Sequence, residues 1–432
     1  MAKQTKSHGL AKSLGLFRLS LYGIGTIIGA GIYSVIAPAA QAAGDGVWLS
    51  FLLAAIISAF SALSYAELAS ALPSAGAEHN FLRNTFPAFP ALAFAVGLFI
   101  AVHGAATLAT VALTFGNYAQ NLITANATLI ALGLIVLATV INIAGIGRAA
   151  FVSATLTAIQ VGCLILFAVV AISSVRREFV FDLAWPEQMG GVLQGAAILF
   201  FIYSGYEHMA SLSEEAKRPD RDLWRAFIIA LGTTTIVYCA VIFGVLSLAR
   251  ADQIATSKSP LVDVANGLGS SFGVMIVGAA LLATANAVLS ASLGGSRLLF
   301  GMARAGDLPK ALATTLGSSR SPWLAAIVFL LAACIFAATG EIAFVASLSS
   351  LGVTLVFAAI NTAVIVLRFT KPELKRPFRL PAIGKVPVTA LLGVVTSLVL
   401  AAQYEWKVYA AFAVAFAIGA VPYAIIQRHQ RN

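Results

Sequence analysis

The stretch "YGIGTIIGAGIY", Tyr22–Tyr33, decides how this chain is interpreted, because it places four glycines inside a long apolar segment. Glycine is about 1 kcal/mol less favourable than alanine in the interior of a helix. The residues on either side nevertheless have the composition of a membrane-spanning helix. A helix crossing a membrane here would be weakest near its centre, and the rest of the sequence has to explain why.

The composition is that of a membrane protein. Of the 432 residues, 60% are hydrophobic and only 10% are charged. Soluble proteins are about 45–50% apolar and about 25% charged, so this chain cannot cover itself with a polar surface. The net charge of +10 fits positive residues retained on the cytoplasmic side and does not call for a nucleic-acid partner. We expect a multi-pass protein of the cell membrane whose main surroundings are the lipid bilayer.

Twelve apolar runs follow one another, and about 20 apolar residues suffice for one helix to cross the bilayer. They lie near residues 18–42, 47–70, 88–116, 127–145, 149–173, 190–211, 224–249, 272–301, 323–339, 342–367, 386–403 and 407–427. With the N-terminus placed inside, 22 of the 27 Lys and Arg residues are cytoplasmic and 5 are external, as the positive-inside rule requires. The sequence therefore predicts an all-α protein with twelve transmembrane helices and both termini in the cytoplasm.

Several classes of protein are disfavoured. The polar start "MAKQTKSHGLAKS" predicts that no signal peptide is removed. The chain has no phosphate-binding GxxxxGK[ST] motif, and its three cysteines lie in apolar runs without metal-binding spacing. Its five histidines are scattered, which argues against an enzyme. We expect no metal and no cofactor, and a process driven by a gradient or by exchange.

The glycines of the first span admit more than one interpretation. A dinucleotide fingerprint would need a preceding strand and a βαβ unit, which membrane spans do not provide. Gly25 and Gly29 have the four-residue spacing of close helix packing. The remaining interpretation is an unwound helix, which is tolerated at membrane depth only where its backbone lines a polar cavity. The helix restarting after such a break would attract a carboxylate to its N–H groups.

A second break occurs in the sixth span. The stretch "AAILFFIYSGYEHMASLSEEAKRP" is interrupted by Ser204-Gly205, and Glu207 follows. Transporters built from inverted repeats bind substrate where a pair of discontinuous helices meet. With five spans in each repeat, the sixth span is the partner of the first. This pairing favours a binding site over simple packing.

Five ordered pieces of the chain resemble the amino acid–polyamine–organocation superfamily of secondary transporters, over nearly the full length. They are "IGAGIY" (28–33), "AELASALPSAGAEHNFLR" (66–83), "FFIYSGYE" (200–207) with the loop "SEEAKRPDRDLWRA" (213–226), "SRLLFGMARAGDLP" (296–309) and "LRFTKPELKRPFRLP" (367–381). The resemblance implies a LeuT-like 5+5 inverted repeat followed by two further helices, with helices 1 and 6 unwound at mid-membrane. It divides the chain into a tail and first repeat (1–173), a second repeat (174–367), and a loop, two helices and a tail (368–432). It also implies transport of an amino acid or related amine by alternating access.

The same resemblance assigns a substrate-binding site. The expected contacts are Ile27, Gly29, Ala30, Gly31 and Ile32 in the first span and Phe201, Ile202, Ser204 and Gly205 in the sixth. Backbone N–H groups of the first break would bind the substrate carboxylate. Freed carbonyls of the sixth span would bind its ammonium group, and Phe201 would form an aromatic wall.

Five further residues are candidates for coupling or specificity. Gln160 occupies the place where several proton-coupled or exchanging relatives carry a lysine that reaches towards the first helix, and an amide cannot carry the proton. His103 and Glu207 are ionisable groups inside spans, where such groups tend to be functional, although a structural hydrogen bond would also explain each. Asn286 and Ser290 share one face of the eighth span. Sodium coupling through these oxygens is less favoured than proton coupling.

Three charged residues at the ends of spans have structural interpretations. Glu67 is expected to pair with a loop arginine as part of a cytoplasmic gate. Arg297 and Arg304 are expected to reach the interface or to pair with acidic loop residues.

The sequence thus predicts a secondary transporter for an amino acid, and the apolar walls favour a neutral one. A transporter or antiporter of cationic amino acids or polyamines is the alternative if Glu207 or Glu67 reaches the pocket. A membrane channel is the alternative from another class, and it would need a continuous polar pore. The coupling ion, and the choice between symport and antiport, stay open.

Overall fold

The computed structural model describes residues 10, 12–29, 31–120, 124–174, 189–257, 259–317, 320–339, 342–402, 404 and 406–431. This part of the chain is mostly helical. The first nine helices are α1 (Leu16–Ile27), α2 (Gly31–Ser34), α3 (Ile36–Ala43), α4 (Val47–Ala71), α5 (Ala77–Thr85), α6 (Pro90–Ala119), α7 (Ala127–Ile143), α8 (Ile146–Ser173) and α9 (Met189–Phe200). The others are α10 (Glu207–Ser211), α11 (Pro219–Leu246), α12 (Ala251–Thr256), α13 (Pro260–Leu268), α14 (Ser270–Arg304), α15 (Trp323–Ala338), α16 (Ile342–Thr370), α17 (Val388–Ala401) and α18 (Trp406–Arg431).

Every apolar run of the sequence contains helix in the described residues. Seven helical segments there are long and apolar enough to cross a membrane, or eight if α17 and α18, which meet at 103°, count as one. Three shorter apolar helices accompany them, namely α7, α9 and α15. The protein is therefore an integral, multi-pass membrane protein.

The loops contain structure that the sequence analysis did not predict. Two short helices, α12 and α13, lie between α11 and α14, and Pro260 occupies the first turn of α13, where a missing N–H costs nothing. A small antiparallel hairpin of β1 (Ala382–Ile383) and β2 (Val386–Pro387) precedes α17. The sequence analysis did not predict this hairpin, which forms because the short connection through Gly384 allows the two ends to pair.

The two glycine-marked interruptions lie against each other. Helix α1 ends at Ile27 and α2 begins at Gly31, while Phe201–Tyr203 form a single 3₁₀ turn after α9. Gly205 has φ +113°, a conformation open mainly to glycine. A side chain at Gly205 would collide with the backbone carbonyl of Thr26, and one at Gly31 would reach Ile202 at 2.7 Å. Both glycines are therefore required by close contact between the interruptions.

Helix α1 lies at the centre of the bundle. It packs against α8, α11 and α14, and its residues from Tyr22 to Ile27 are all buried. The interruption after Ile27 is consequently enclosed by protein, where irregular backbone is tolerated in a membrane protein.

Charged and titratable side chains, most of them in pairs, gather at one end of the bundle, here called the charged end. It comprises Glu67, Glu78, His79, Glu214, Glu215, Arg297, Arg304, Asp307, Arg368 and Arg376. Glu67 accepts two hydrogen bonds from Arg368, at 2.6 and 3.1 Å, and a third from the backbone N–H of Leu380 at 2.7 Å. Nε of Arg376, in the loop after α16, also lies 3.2 Å from Glu67. The expected pairing of Glu67 with a loop arginine is confirmed, and its part in a cytoplasmic gate stays a prediction.

Arg297 and Arg304 both pair with acidic residues, as one of their two predicted roles required. The fully buried Arg297 donates from Nε to Glu215 at 3.0 Å, and Asn142 accepts from its Nη1. Arg304 forms a two-pronged pair with Glu214, at 2.6 and 2.7 Å. These bonds connect α14 to the segment after α10, so the sixth apolar run is held at this end.

Candidate substrate-binding site

A cavity of about 70 Å³ lies where the two interruptions meet. Nine of the residues predicted from the sequence line it: Ile27, Gly29, Gly31, His103, Ile202, Ser204, Gly205, Glu207 and Ser290. Five lining residues were not predicted: Thr26, Thr107, Val111, His208 and Ala287. The fold thus brings together residues from α1, α6, the α9–α10 segment and α14.

The other predicted residues lie elsewhere. Ala30 and the side chain of Phe201 lie outside the described residues. Ile32 is fully buried in the packing and is not part of the cavity lining. Gln160 and Asn286 are buried behind the cavity wall, where they contact its supporting helices.

Side chains of helices α8 and α14 contact the end of α1. Gln160 donates from Nε2 to the carbonyl oxygen of Ile28 at 2.9 Å. One turn earlier on α8, Thr157 accepts a hydrogen bond of 2.9 Å from Asn286. A side chain at Gly25 would collide with both Thr157 and Asn286, so this contact depends on the glycine. Thr157 was missed because a threonine in an apolar run carries no sequence signal of its own.

Tyr238 of α11 connects the two interruptions. Its hydroxyl lies 3.0 Å from the carbonyl oxygen of Ile27 and 3.3 Å from that of Ile202. Carbonyls at the end of a helix lack intrahelical donors, and a buried tyrosine hydroxyl needs a polar partner. Each group therefore satisfies the other. The sequence analysis missed Tyr238, since nothing in the pattern of α11 shows that it reaches both breaks.

His103 and Glu207 form a buried pair at the cavity. The Nδ1 atom of His103 lies 2.7 Å from the carbonyl oxygen of Ser349. A carbonyl only accepts, so Nδ1 carries the proton and Nε2 of the neutral ring is an acceptor. That Nε2 lies 3.9 Å from Oε1 of Glu207, while Oε2 accepts from the backbone N–H of Gly205 at 2.7 Å. When the ring is neutral, two acceptors face each other, and a donor placed between them would satisfy both.

An aromatic layer lies next to the sixth-span interruption. Tyr206 stacks on Phe357 with ring centroids 5.3 Å apart, and Tyr65 meets Tyr206 edge-on at 5.7 Å. Phe227 stacks on Tyr65 at 6.3 Å. Tyr206 adjoins the lining residues Gly205 and Glu207 along the chain, so the aromatic layer packs next to the segment that lines the cavity.

Oxygen atoms suited to a metal ion are few at this site. Within the described part of the chain, no cluster of three or more His, Cys, Asp or Glu residues has metal-binding geometry. Hard cations prefer oxygen ligands, and here Oδ1 of Asn286 and Oγ of Ser290 have no hydrogen-bond partner among the described residues. These two atoms come from neutral groups, so they offer no charge to a cation.

A central cavity between two interrupted helices, inside a bundle of membrane-spanning helices, defines the class of membrane transporters. Residues 14–424 match the amino acid permease family. The chain belongs to this family and is an amino acid transporter of the amino acid–polyamine–organocation superfamily.

Curated relatives agree with this classification. The chain is 29% identical to the branched-chain amino acid permease of Bacillus subtilis (strain 168), over 99% of this chain and 96% of the relative. It is 32% identical to an uncharacterized transporter of Mycobacterium tuberculosis (strain ATCC 25618 / H37Rv), over 96% and 91% of the two chains. A methylthioribose transporter of Bacillus subtilis (strain 168) is 29% identical over 90% and 88%.

Proposed function

We propose that the protein moves a neutral amino acid across the cell membrane by alternating access. The helical runs would form twelve spans with cytoplasmic termini. Residues 1–173 and 174–367 would be inverted five-span repeats, and 368–432 would add two helices. Support comes from the paired interruptions in the first and sixth runs, which is the arrangement expected at the interface of such repeats.

The substrate would bind with its α-carboxylate and α-ammonium groups at the two interruptions. Gly29 and Gly31 line the cavity without side chains, so no side chain of their own would keep a carboxylate from this stretch of backbone. The ammonium group would lie between Nε2 of His103 and Oε1 of Glu207, because these two acceptors lack a shared donor. Carbonyls of the sixth-span break near Ile202 would complete its hydrogen bonds.

The walls and charges of the cavity favour a neutral side chain. Ile27, Val111 and Ile202 contribute apolar surface. Glu207 is the only carboxylate among the lining residues, and it already accepts the N–H of Gly205. A substrate ammonium would use its remaining oxygen, leaving no carboxylate for a cationic side chain. The similarity to a branched-chain amino acid permease supports the same choice.

A cationic amino acid or polyamine is the second candidate. It is favoured by the single observation that Glu207 lines the cavity, since a carboxylate in an apolar pocket attracts any cation. Proton symport and exchange are both compatible with this geometry.

The test uses purified protein and reconstituted vesicles. A ligand that binds only the folded state raises the melting temperature, so leucine, isoleucine and valine are compared with arginine, lysine and putrescine. Counterflow of the best ligand then tests transport. We expect a shift with a branched-chain or similar neutral amino acid that is reduced in His103→Ala. A shift with arginine or putrescine alone would establish the second candidate, and a ligand response without counterflow would contradict transport.

A further inference from the structure

Glu78 differs from every other carboxylate that is buried in the described residues. These carboxylates are Glu67, Glu78, Glu207, Glu215, Asp222 and Asp307. All except Glu78 have an arginine or histidine nitrogen within 4.0 Å. Glu78 is 1% exposed, and its Oε2 atom has no hydrogen-bond partner in the described part of the chain.

The surroundings of Glu78 contain hydroxyl groups and a second carboxylate. It lies in the first turn of α5, which packs against α6, α10, α14 and α16. The Tyr65 hydroxyl and Ser211 face its carboxyl group, and Glu207 acts on it through space.

The nearby basic groups are committed to other partners. His79 on the same helix contacts Asp307 at 2.5 Å, and His103 of α6 bonds to Ser349. On the remaining packed helices, Arg297 and Arg304 of α14 pair with Glu215 and Glu214, and Arg368 of α16 pairs with Glu67. Arg83 of α5 pairs with Asp307 at 3.4 Å, and His208 of α10 acts through space on its neighbour Glu207. None of the ion pairs within 4.0 Å among the described residues includes Glu78.

A buried carboxylate without a cation is costly, so the group keeps its proton instead. Desolvation by burial raises the pKa of Glu78 to about 8, and the negative charge of Glu207 raises it further against the opposing effect of hydrogen bonds. Helix α5 is not one of the spanning segments. In this conformation Glu78 is therefore a neutral carboxylic acid at neutral pH.

We propose that Glu78 is a proton-binding site of the transport cycle, so that the coupling ion is H⁺. In the conformation described here its carboxyl O–H bond is intact. When the charged end opens to the cytoplasm, water reaches the group, the O–H bond breaks, and the proton passes to water while the hydrated carboxylate stays behind. This inference rests on the proposed transport function and names its coupling ion. It assigns to α5 a role that the amide of Gln160 on α8 cannot perform.

The first test separates coupling from transport. Wild-type protein, Glu78→Gln and Glu373→Gln are reconstituted, the last variant removing an exposed carboxylate as a control. We expect the wild type and the control to accumulate amino acid faster under an inward proton gradient. Glu78→Gln should keep counterflow, which needs no net proton movement, and lose the stimulation by the gradient. The proposal would be overturned if the proton gradient stimulated uptake by Glu78→Gln as much as uptake by the wild type. It would also be overturned if the wild type showed counterflow but no stimulation of uptake by the gradient.

The second test does not depend on transport. Infrared difference spectra of the wild type between acidic and alkaline pH should contain the C=O band of a buried carboxylic acid that is lost as the pH rises through about 8. The band should be missing in Glu78→Gln and present in Glu373→Gln. An equal band in Glu78→Gln would refute the assignment. If no amino acid shows counterflow with the wild type, the proposed function fails, while this band still decides whether Glu78 holds the proton.

Discussion

The side-chain amide of Gln160 donates a hydrogen bond of 2.9 Å to the carbonyl oxygen of Ile28, directly after α1 ends. Gln160 is fully buried, and its Oε1 atom has no hydrogen-bond partner in the described residues. Helix α8 therefore supplies a donor to a carbonyl at the point where regular helix stops. This bond holds one wall of the candidate site.

Removing that donor should weaken substrate binding. In Gln160→Leu the Ile28 carbonyl would be buried without its partner, which costs about 1–3 kcal/mol. We expect roughly tenfold weaker binding, measured as Kd by titration of the purified protein. Thr155→Val on the exposed side of α8, where the hydroxyl bonds only to Phe151 of its own helix, should leave Kd unchanged. Equal affinities in wild type and Gln160→Leu would contradict a role in shaping the site.

Loss of the Tyr238 hydroxyl should loosen both interruptions without unfolding the protein. In Tyr238→Phe the ring keeps its contacts with Phe51 and Tyr203, while the carbonyls of Ile27 and Ile202 lose a donor. We expect several-fold weaker binding with a small change in melting temperature. Tyr409→Phe, which removes a hydroxyl bonded to Ala401 far along the chain, is the control. A larger loss of affinity in Tyr409→Phe than in Tyr238→Phe would contradict a role of the Tyr238 hydroxyl in binding.

A side chain at Gly31 should block the site. The first added carbon would lie 2.7 Å from Ile202, and the rest of a valine would enter the cavity that Gly31 lines. Gly31→Val should insert in the membrane and lose amino acid counterflow. Gly162→Val on α8, where an added carbon meets no atom within 4 Å, should transport normally. Normal counterflow by Gly31→Val would remove the basis for the carboxylate position.

The buried pair of Arg297 and Glu215 should dominate the stability of the charged end. Arg297→Met leaves Glu215 buried without its cation, and breaking a buried pair costs about 3–5 kcal/mol. The expected result is a clear fall in melting temperature that adding Glu215→Leu partly reverses. Arg304→Met is the matched control, because Arg304 is 34% exposed and pairs near the surface are worth about 0–1 kcal/mol. Equal losses in the two single variants would show that burial does not set the cost.

Glu78 should make the protein less stable as the pH rises. Burial raises its pKa from 4.5 to about 8, so between these values the folded state binds more protons than the unfolded state, and stability falls with increasing pH. Glu78→Gln removes this dependence. The melting temperature of Glu78→Gln minus that of the wild type should increase from pH 4.5 to about pH 8 and stay constant above it. Glu373→Gln should follow the wild type, and parallel curves for all three proteins would mean that Glu78 is not protonated when folded.

Much of the architecture could be predicted from local pattern. Apolar runs that are long enough to cross a membrane predicted the helices. Such a prediction succeeds because the hydrophobicity and length of a segment depend only on its own residues. Gly31 and the Ser204-Gly205 pair marked the interruptions, since glycine weakens a helix wherever it stands. The hairpin around Gly384 was missed, because two residues on each side are too few to show a strand pattern.

The site shows the limit of such patterns. His103, Glu207 and Ser290 were selected because polar groups are rare inside spans, and all three line the cavity. Tyr238 was not selected, because tyrosines are common in membrane helices and its importance comes from reaching two carbonyls in other segments.

The sequence by itself determined that this is a multi-pass membrane transporter of the amino acid permease family with two weakened helices, because composition, spacing and motif order are carried by the chain itself. Only the tertiary structure decided which polar groups have partners. Glu67 and Glu78 are both glutamates near the end of the second apolar run, yet Glu67 binds Arg368, whereas no ion pair among the described residues includes Glu78. The difference arises from distant helices that bring an arginine to one carboxylate and hydroxyl groups to the other, and the cost of a buried charge depends on those neighbours.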